Sequence, residues 1–299
     1  MVPVASVGFS INLFGTPLHD MVPLVTRAEE LGFEAVWLGE HLIRPAQAPR
    51  SYPYSATGSA QEVWPEETEL NDAWVVLGHL AAVTRRIRLA TGVYVLPLRN
   101  PFVTARAVAT VHALSSGRVM LGIGSGWYRE EFETVGEDFD RRGRRMDEII
   151  DILERLWSGE TFSHAGEFYQ FGEVGFGPAV TPSIPVMVGG DSKLALRRAA
   201  LLGDGWYSTA LGDLNQMAAA RDTIEAMRAE AGRASLPFEY YVRIVGDLDA
   251  ANAQRYRDAG FDHLTLATNR LWRSAEDLDE KIAILEHLAS ELEVEADPA

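Results

Sequence analysis

The chain contains no cysteine. Disulfides, thiolate metal sites and a cysteine nucleophile are therefore excluded. Lysine is almost as scarce: Lys193 and Lys281 are the only two, and the rest of the basic charge is arginine. No basic block offsets a formal charge of −16, so nucleic acid and anionic membrane surfaces are repelled as partners. No apolar run approaches the ~18 residues of a membrane-spanning helix. The opening MVPVASVGFSINLFG lacks the basic segment of a secretion signal. The expectation is a cytoplasmic protein whose partner is a small molecule. No His/Asp/Glu spacing suits a metal, and no nucleophile elbow supports Ser-His-Asp catalysis.

What is present is a regular alternation of strand-like and helix-like runs over 299 residues. Strand patterns fall at Val4–Ile11, Glu34–Leu38, Ile87–Val95, Val119–Ile123, Pro185–Val188, Gly205–Ser208, Tyr240–Val245 and His263–Ala267. Helical patterns follow them. One spans Leu18–Leu31, with Leu18, Met21, Val22, Val25 and Leu31 on one face and Gly32 as its stop. A second spans Arg144–Trp157, and a last one starts at Ser274. Sustained strand–helix alternation builds a parallel sheet covered by helices. Eight units in a chain of this length predict a closed (β/α)8 TIM barrel, with a doubly wound open sheet as the rival. Two segments break the repeat as long loops, His41–Asp72 and Ser158–Ser183. Both are placed to lie over a barrel mouth.

Three glycines in RVMLGIGSGWYREEF, Gly122, Gly124 and Gly126, lie between a strand and a helix. Their spacing is not the G-x-G-x-x-G of a dinucleotide loop, and they occur in the fourth unit rather than the first. They predict close backbone approach at the carboxyl end of a strand. His41, after Glu40, also ends a strand, where a barrel keeps its active face. Glu40 is able either to orient His41 or to pair with an arginine. Gly92 inside a strand marks a bulge or a close approach. Glu130 and Glu131 read as first-turn helix acids near the same mouth. Among the arginines, Arg44 and Arg99 follow strand ends and best suit an anionic ligand. The turn VGGDSKLALRR makes Asp191 or Ser192 the cap of a helix whose N-terminus can hold phosphate.

Three motifs occur in order: AVWLGEH, RIRLATGVYVLPLRNPFVTARAVATVHALSSGRVMLGIGSGW and IPVMVGGDSKLALRRAALLGDGWY. Together they resemble the bacterial luciferase-like flavin monooxygenase superfamily, and within it the branch of oxidoreductases dependent on coenzyme F420, a deazaflavin. The likeness covers roughly residues 5–210, and it implies an insertion-bearing barrel, one domain over 1–299, and a homodimer. It implies that Glu40 and His41 contact the deazaflavin or substrate and that the Gly92–Val93 peptide is cis against the cofactor ring. It also places Gly124, Ser125 and Gly126 near the ring, Trp127 as a wall for substrate, and the cofactor phosphate at Val188, Gly189, Gly190, Asp191 and Ser192. Related sugar-phosphate dehydrogenases carry a catalytic glutamate at about Trp127; this chain does not, which argues against that substrate class, and Glu130, with Glu131 beside it, is the nearby candidate acid. FMN with oxygen is the alternative cofactor chemistry, and a non-redox lyase, isomerase or binding protein that uses the phosphate turn is a second alternative.

Overall fold

The computed structural model describes residues 7–44, 68–208, 212–267, 271–272, 275 and 277–295. The strands are β1 (Gly8–Asn12), β2 (Ala35–Leu38), β3 (Arg88–Thr91), β4 (Tyr94–Val95), β5 (Val119–Gly124), β8 (Val186–Gly189), β9 (Gly205–Tyr207), β10 (Glu239–Arg243) and β11 (His263–Ala267), with β6 (Phe162–Ala165) and β7 (Gln170–Val174) apart from them. The helices are α1 (Leu18–Leu31), α2 (Ala73–Val83), α3 (Pro101–Leu114), α4 (Arg129–Thr134), α5 (Arg142–Trp157), α6 (Lys193–Leu202), α7 (Leu214–Glu230), α8 (Ala250–Asp258) and α9 (Leu278–Glu291). The main sheet runs β3-β2-β1-β11-β10-β9-β8-β5-β4, and β3 also pairs with β5. That pairing closes it, and every neighbouring pair is parallel. β3 and β4 are two halves of one barrel strand, so the barrel has the predicted eight staves and the open-sheet rival is excluded.

Each stave alternates between two environments. Val36, Leu89, Leu121, Val188 and Leu264 point outward into the core shared with the helices. Ala35, Trp37, Ala90, Met120, Met187, Tyr207 and Tyr241 fill the interior. Trp37 is fully buried and stacks on Tyr207 at 4.4 Å between ring centroids. Its other neighbour, Tyr241, meets it edge-on at 4.7 Å. The indole Nε1–H donates to Ser10 Oγ at 3.1 Å.

The helices agree with the pattern with small differences. α1 turns Met21, Leu24, Val25 and Ala28 inward, while Leu18 is exposed. The buried Asp20 of α1 meets Lys281 of α9 at 2.5 Å. α5 begins two residues before the expected Arg144. α9 begins at Leu278, capped by Asp277, whose carboxylate accepts from Glu280 N at 3.0 Å. The expected Ser274 start lies outside the described residues. Ser158–Ser183 is not a plain loop: β6 and β7 form an antiparallel hairpin. Glu148 of α5 holds its turn by accepting from Glu167 N, Phe168 N and Tyr169 N at 2.8–3.0 Å. Most of His41–Asp72, residues 45–67, lies outside the described residues.

The barrel's amino-terminal end is an ionic cluster. Arg88 Nη1 donates to both Glu239 oxygens at 3.0 Å and to Tyr241 OH at 2.8 Å. His263 Nδ1 lies 2.9 Å from Glu34. Burial opposes charge on His263, but the Glu34 hydrogen bond and the Glu34 and Glu239 carboxylates outweigh it and hold the ring's pKa above its ordinary value.

Two measurements test this account. The His263 contribution to stability is complete below the unfolded pKa of about 6.5 and is lost as pH rises through the raised folded value. Melting temperature against pH is therefore expected to flatten above about 6.5 in His263→Gln; an unchanged slope refutes the pairing. A Cβ on Gly122 would collide with the Thr91 carbonyl oxygen, whereas Gly172 has open space. Gly122→Ala is expected to cost about 3 kcal/mol or more in chemical denaturation, and Gly172→Ala less than about 0.5 kcal/mol.

Candidate active site

The parallel staves deliver their carboxyl ends to one mouth. β2 ends there in Gly39, Glu40 and His41. His41 Nδ1 lies 3.0 Å from Glu131 Oε2. Glu131 Oε1 accepts from Leu42 N at 2.6 Å and from Ile43 N at 3.3 Å. A carboxylate only accepts, so Nδ1 carries the proton in this contact. Glu131 is 1% exposed, although it sits on a six-residue helix. Gly126 turns the chain into that helix with φ 78°, and Arg142 Nε holds the Gly126 carbonyl at 3.1 Å. Phe132 then packs with Val95 and Leu98.

Aromatic rings border His41 on two sides. Trp127 meets it edge-on at 5.9 Å and stacks on Tyr128 at 5.1 Å. Phe14 meets it edge-on at 6.4 Å. At the end of β1, Asn12 Nδ2 donates to Tyr207 OH at 3.0 Å, with the Gly92 carbonyl 3.5 Å away. Burial pushes the Tyr207 phenol up to about 12, so it stays protonated.

The peptide between Gly92 and Val93 is cis, at the position expected. It separates β3 from β4. The glycines facing it have a different reason from the one expected. The space of a Cβ on Gly124 is taken by Val93, whose Cγ2 would stand 2.5 Å away. On Gly126 a Cβ would meet Phe132 and Val95 at 2.8 Å. The close approach that these glycines allow is made by the chain itself. Ser125, between them, is partly exposed.

Several expected site residues are placed otherwise. Glu40 is buried and pairs with Arg99 while accepting from Val95 N at 3.2 Å. Burial pushes its carboxyl up, against Arg99 and the Val95 N–H. Of its two possible roles it takes the arginine pairing, and Arg99 is committed to it rather than to a ligand. Glu130 is exposed on α4; its neighbour Glu131, read only as a helix-start acid, is the one bonded to His41. The Val188 side chain is fully buried in the helix-facing core, so it lines no mouth.

The turn after β8 is braced. Gly190, at φ 110°, donates its N–H to Tyr207 O at 3.2 Å and accepts from Trp206 Nε1 at 2.9 Å. Ser192 caps α6 through Ala195 N at 3.2 Å. Asp191 Oδ1 accepts from Ser208 Oγ at 3.2 Å. A phosphate at α6 would meet the Ser192 hydroxyl and the first-turn N–H groups of the helix; Gly189 and Gly190 add no side chain there, the Gly190 N–H is already given to Tyr207, and Asp191 is engaged with Ser208. Among the described residues no group of acidic or histidine side chains could hold a metal ion, and no helix is long and apolar enough to cross a membrane.

Glu131→Ala leaves the Leu42 and Ile43 N–H groups without their acceptor and is expected to cost about 1–3 kcal/mol. Glu131→Gln restores most of that but frees the ring's tautomer. Nitrogen-15 spectra of His41 should then show an Nε2–H form that the wild type lacks; identical spectra refute the orienting contact.

Comparisons with known proteins agree with the barrel fold. A model of the luciferase-like monooxygenase family matches residues 6–297. An uncharacterised protein of Mycobacterium tuberculosis is 33% identical over 80% of this chain and 81% of its own length. An F420-dependent glucose-6-phosphate dehydrogenase of Amycolatopsis mediterranei is 28% identical over 64% of this chain and 53% of its own. Pyrimidine monooxygenase RutA of Allorhizobium ampelinum is 31% identical over 57% of this chain and 47% of its own. Among solved structures, an F420-dependent secondary alcohol dehydrogenase in complex with an F420-acetone adduct superposes with TM-score 0.76 at 17% identity, over 96% of this chain and 99% of that one. That likeness is one of fold. With its family match across nearly the full length and its closed eight-stave barrel, the chain belongs to the luciferase-like monooxygenase family of oxidoreductases and monooxygenases.

Proposed function

We propose that this protein is an oxidoreductase that binds coenzyme F420 across the carboxyl-end mouth and exchanges hydride with a small organic substrate. The observation that carries this reading is the His41–Glu131 pair beside Trp127. A deazaflavin supplies hydride transfer at carbon and reacts poorly with oxygen, so the protein must handle the matching proton at the substrate oxygen. His41 suits that task. Glu131 fixes its Nδ1–H, and proton exchange with substrate falls to Nε2. Trp127 offers an apolar ring beside His41, and Ser192 with the first turn of α6 would hold the cofactor phosphate. The 28% identity to an F420-dependent dehydrogenase supports the same cofactor.

The 31% identity to a pyrimidine monooxygenase favours a second reading, in which reduced FMN occupies the same mouth and reacts with oxygen. Fluorescence titration of the protein with coenzyme F420 and with FMN separates the two. Coenzyme F420 is expected to bind at least about tenfold more tightly, a difference of about 1.4 kcal/mol. Tight binding of FMN alone overturns the proposal in favour of the second reading, and binding of neither overturns both. Once a substrate is found, His41→Ala is expected to lower kcat by about 10²–10⁴-fold with cofactor affinity little changed; an undiminished kcat removes His41 from the chemistry.

A further inference from the structure

β10 places Tyr241 in the barrel interior and Val242 in the helix-facing core. Strand alternation therefore turns Arg243 inward, at the carboxyl end of the stave. Its guanidinium lies near enough to Tyr207 to influence that phenol. The other interior arginine, Arg88, is paired with Glu239 and Tyr241. Arg243 makes no such contact among the described residues, and its Nε–H is buried without an acceptor. The residue as a whole is only partly buried, but a buried N–H left without an acceptor is costly. The chain carries 43 acidic residues against 27 basic ones, so a carboxylate partner is not scarce in general. Among the described residues none reaches Arg243.

Position narrows what could supply the partner. In the barrel order β3-β2-β1-β11-β10, Arg243 lies four staves from the β3–β4 break, on the opposite wall. The family resemblance implies a cofactor ring against that break, and the reading proposed above puts its phosphate at α6. Substrate that meets His41, at the end of β2, can then extend across the mouth toward Arg243. We propose that Arg243 receives an anionic oxygen of the substrate, so that this site takes small organic anions such as carboxylates or phosphate esters. The placement of substrate rests on the cofactor reading. The inward position of Arg243 and its unpaired N–H rest on β10 alone.

Calorimetric titration with sodium benzoate and with inorganic phosphate, at constant ionic strength, tests this in the wild type, Arg243→Gln and Arg243→Lys, alongside fluorescence titration with coenzyme F420. The wild type is expected to bind at least one anion saturably. Arg243→Gln should weaken that binding at least about tenfold, as loss of a charged hydrogen bond implies, while Arg243→Lys keeps an intermediate affinity. Melting curves establish that each variant folds. An unchanged coenzyme F420 affinity in Arg243→Gln is expected. A tenfold loss there, with anion binding untouched, would mean that Arg243 serves the cofactor ring and overturns the substrate assignment. Failure of the wild type to bind either anion, or equal binding by Arg243→Gln, overturns the proposal outright. A wild type that binds no cofactor but loses the anion in Arg243→Gln refutes the cofactor reading and leaves the anion site standing.

Discussion

Trp37 fills the barrel. Eight staves enclose just enough room for side chains, and the indole takes the middle of it. Tyr207 and Tyr241 flank the ring, and Ser10 satisfies its N–H. A ring of that size demands small neighbours, and Ala35 and Ala90 supply them. Met187 fills the space that Gly205 leaves open. The barrel is thus solid below Tyr207. Ligand space can exist only above it, where Asn12 joins Tyr207 and where β2 hands the chain to Glu40 and His41.

The break in the third stave is the second constraint, and the glycines of neighbouring staves are its consequence. Thr91 Oγ1 donates to the Gly122 carbonyl at 2.7 Å just before the break. A Cβ on Gly39 would stand 3.0 Å from the Gly92 carbonyl, and one on Gly124 would strike Val93. Once past the break, Val95 N reaches the Glu40 carboxylate, which Arg99 neutralises. A bulge on one stave thereby sets residues on two others. The short α4 is oriented through the same region, since Gly126 packs on Val95 and Phe132. That helix carries Glu131 under His41.

The barrel was legible because its signals are local. Buried parallel strands read as short apolar runs ended by glycine or proline, and amphipathic helices such as α5 carry their own period. The strand-end rule put His41 and Arg99 at the carboxyl mouth, where the structure has them. What escaped depended on partners distant in the chain. Glu130 and Glu131 are equivalent acids in sequence. Only the entry angle of a six-residue helix, held by Arg142 on Gly126, decides which one is buried. Arg99 looked available until Glu40, on another stave, took it. The β6–β7 hairpin hangs on Glu148, a helix residue upstream of it. Arg243 sits in a strand whose alternation was visible, but its lack of a partner is a three-dimensional fact.

The two ends of the barrel differ in how completely their charges are matched. At the amino-terminal end Arg88, Glu239, Tyr241, Glu34 and His263 satisfy one another. An interior ion cluster of that kind is expensive to desolvate and is tolerated when every member has a partner. At the carboxyl end, Glu40 pairs with Arg99, whose Nε–H is left without an acceptor, and Glu131 accepts from His41, Leu42 and Ile43. Among the described residues Arg243 has no carboxylate partner, and its Nε–H has no acceptor. Matching at one end and a surplus at the other agree with the division of labour in such barrels, where the amino-terminal face carries stability and the carboxyl face carries chemistry. The surplus has a sign. A mouth whose spare interior charge is positive, within a chain of formal charge −16, selects by charge at the point of contact. The field of the whole molecule works against an anionic ligand until it arrives there.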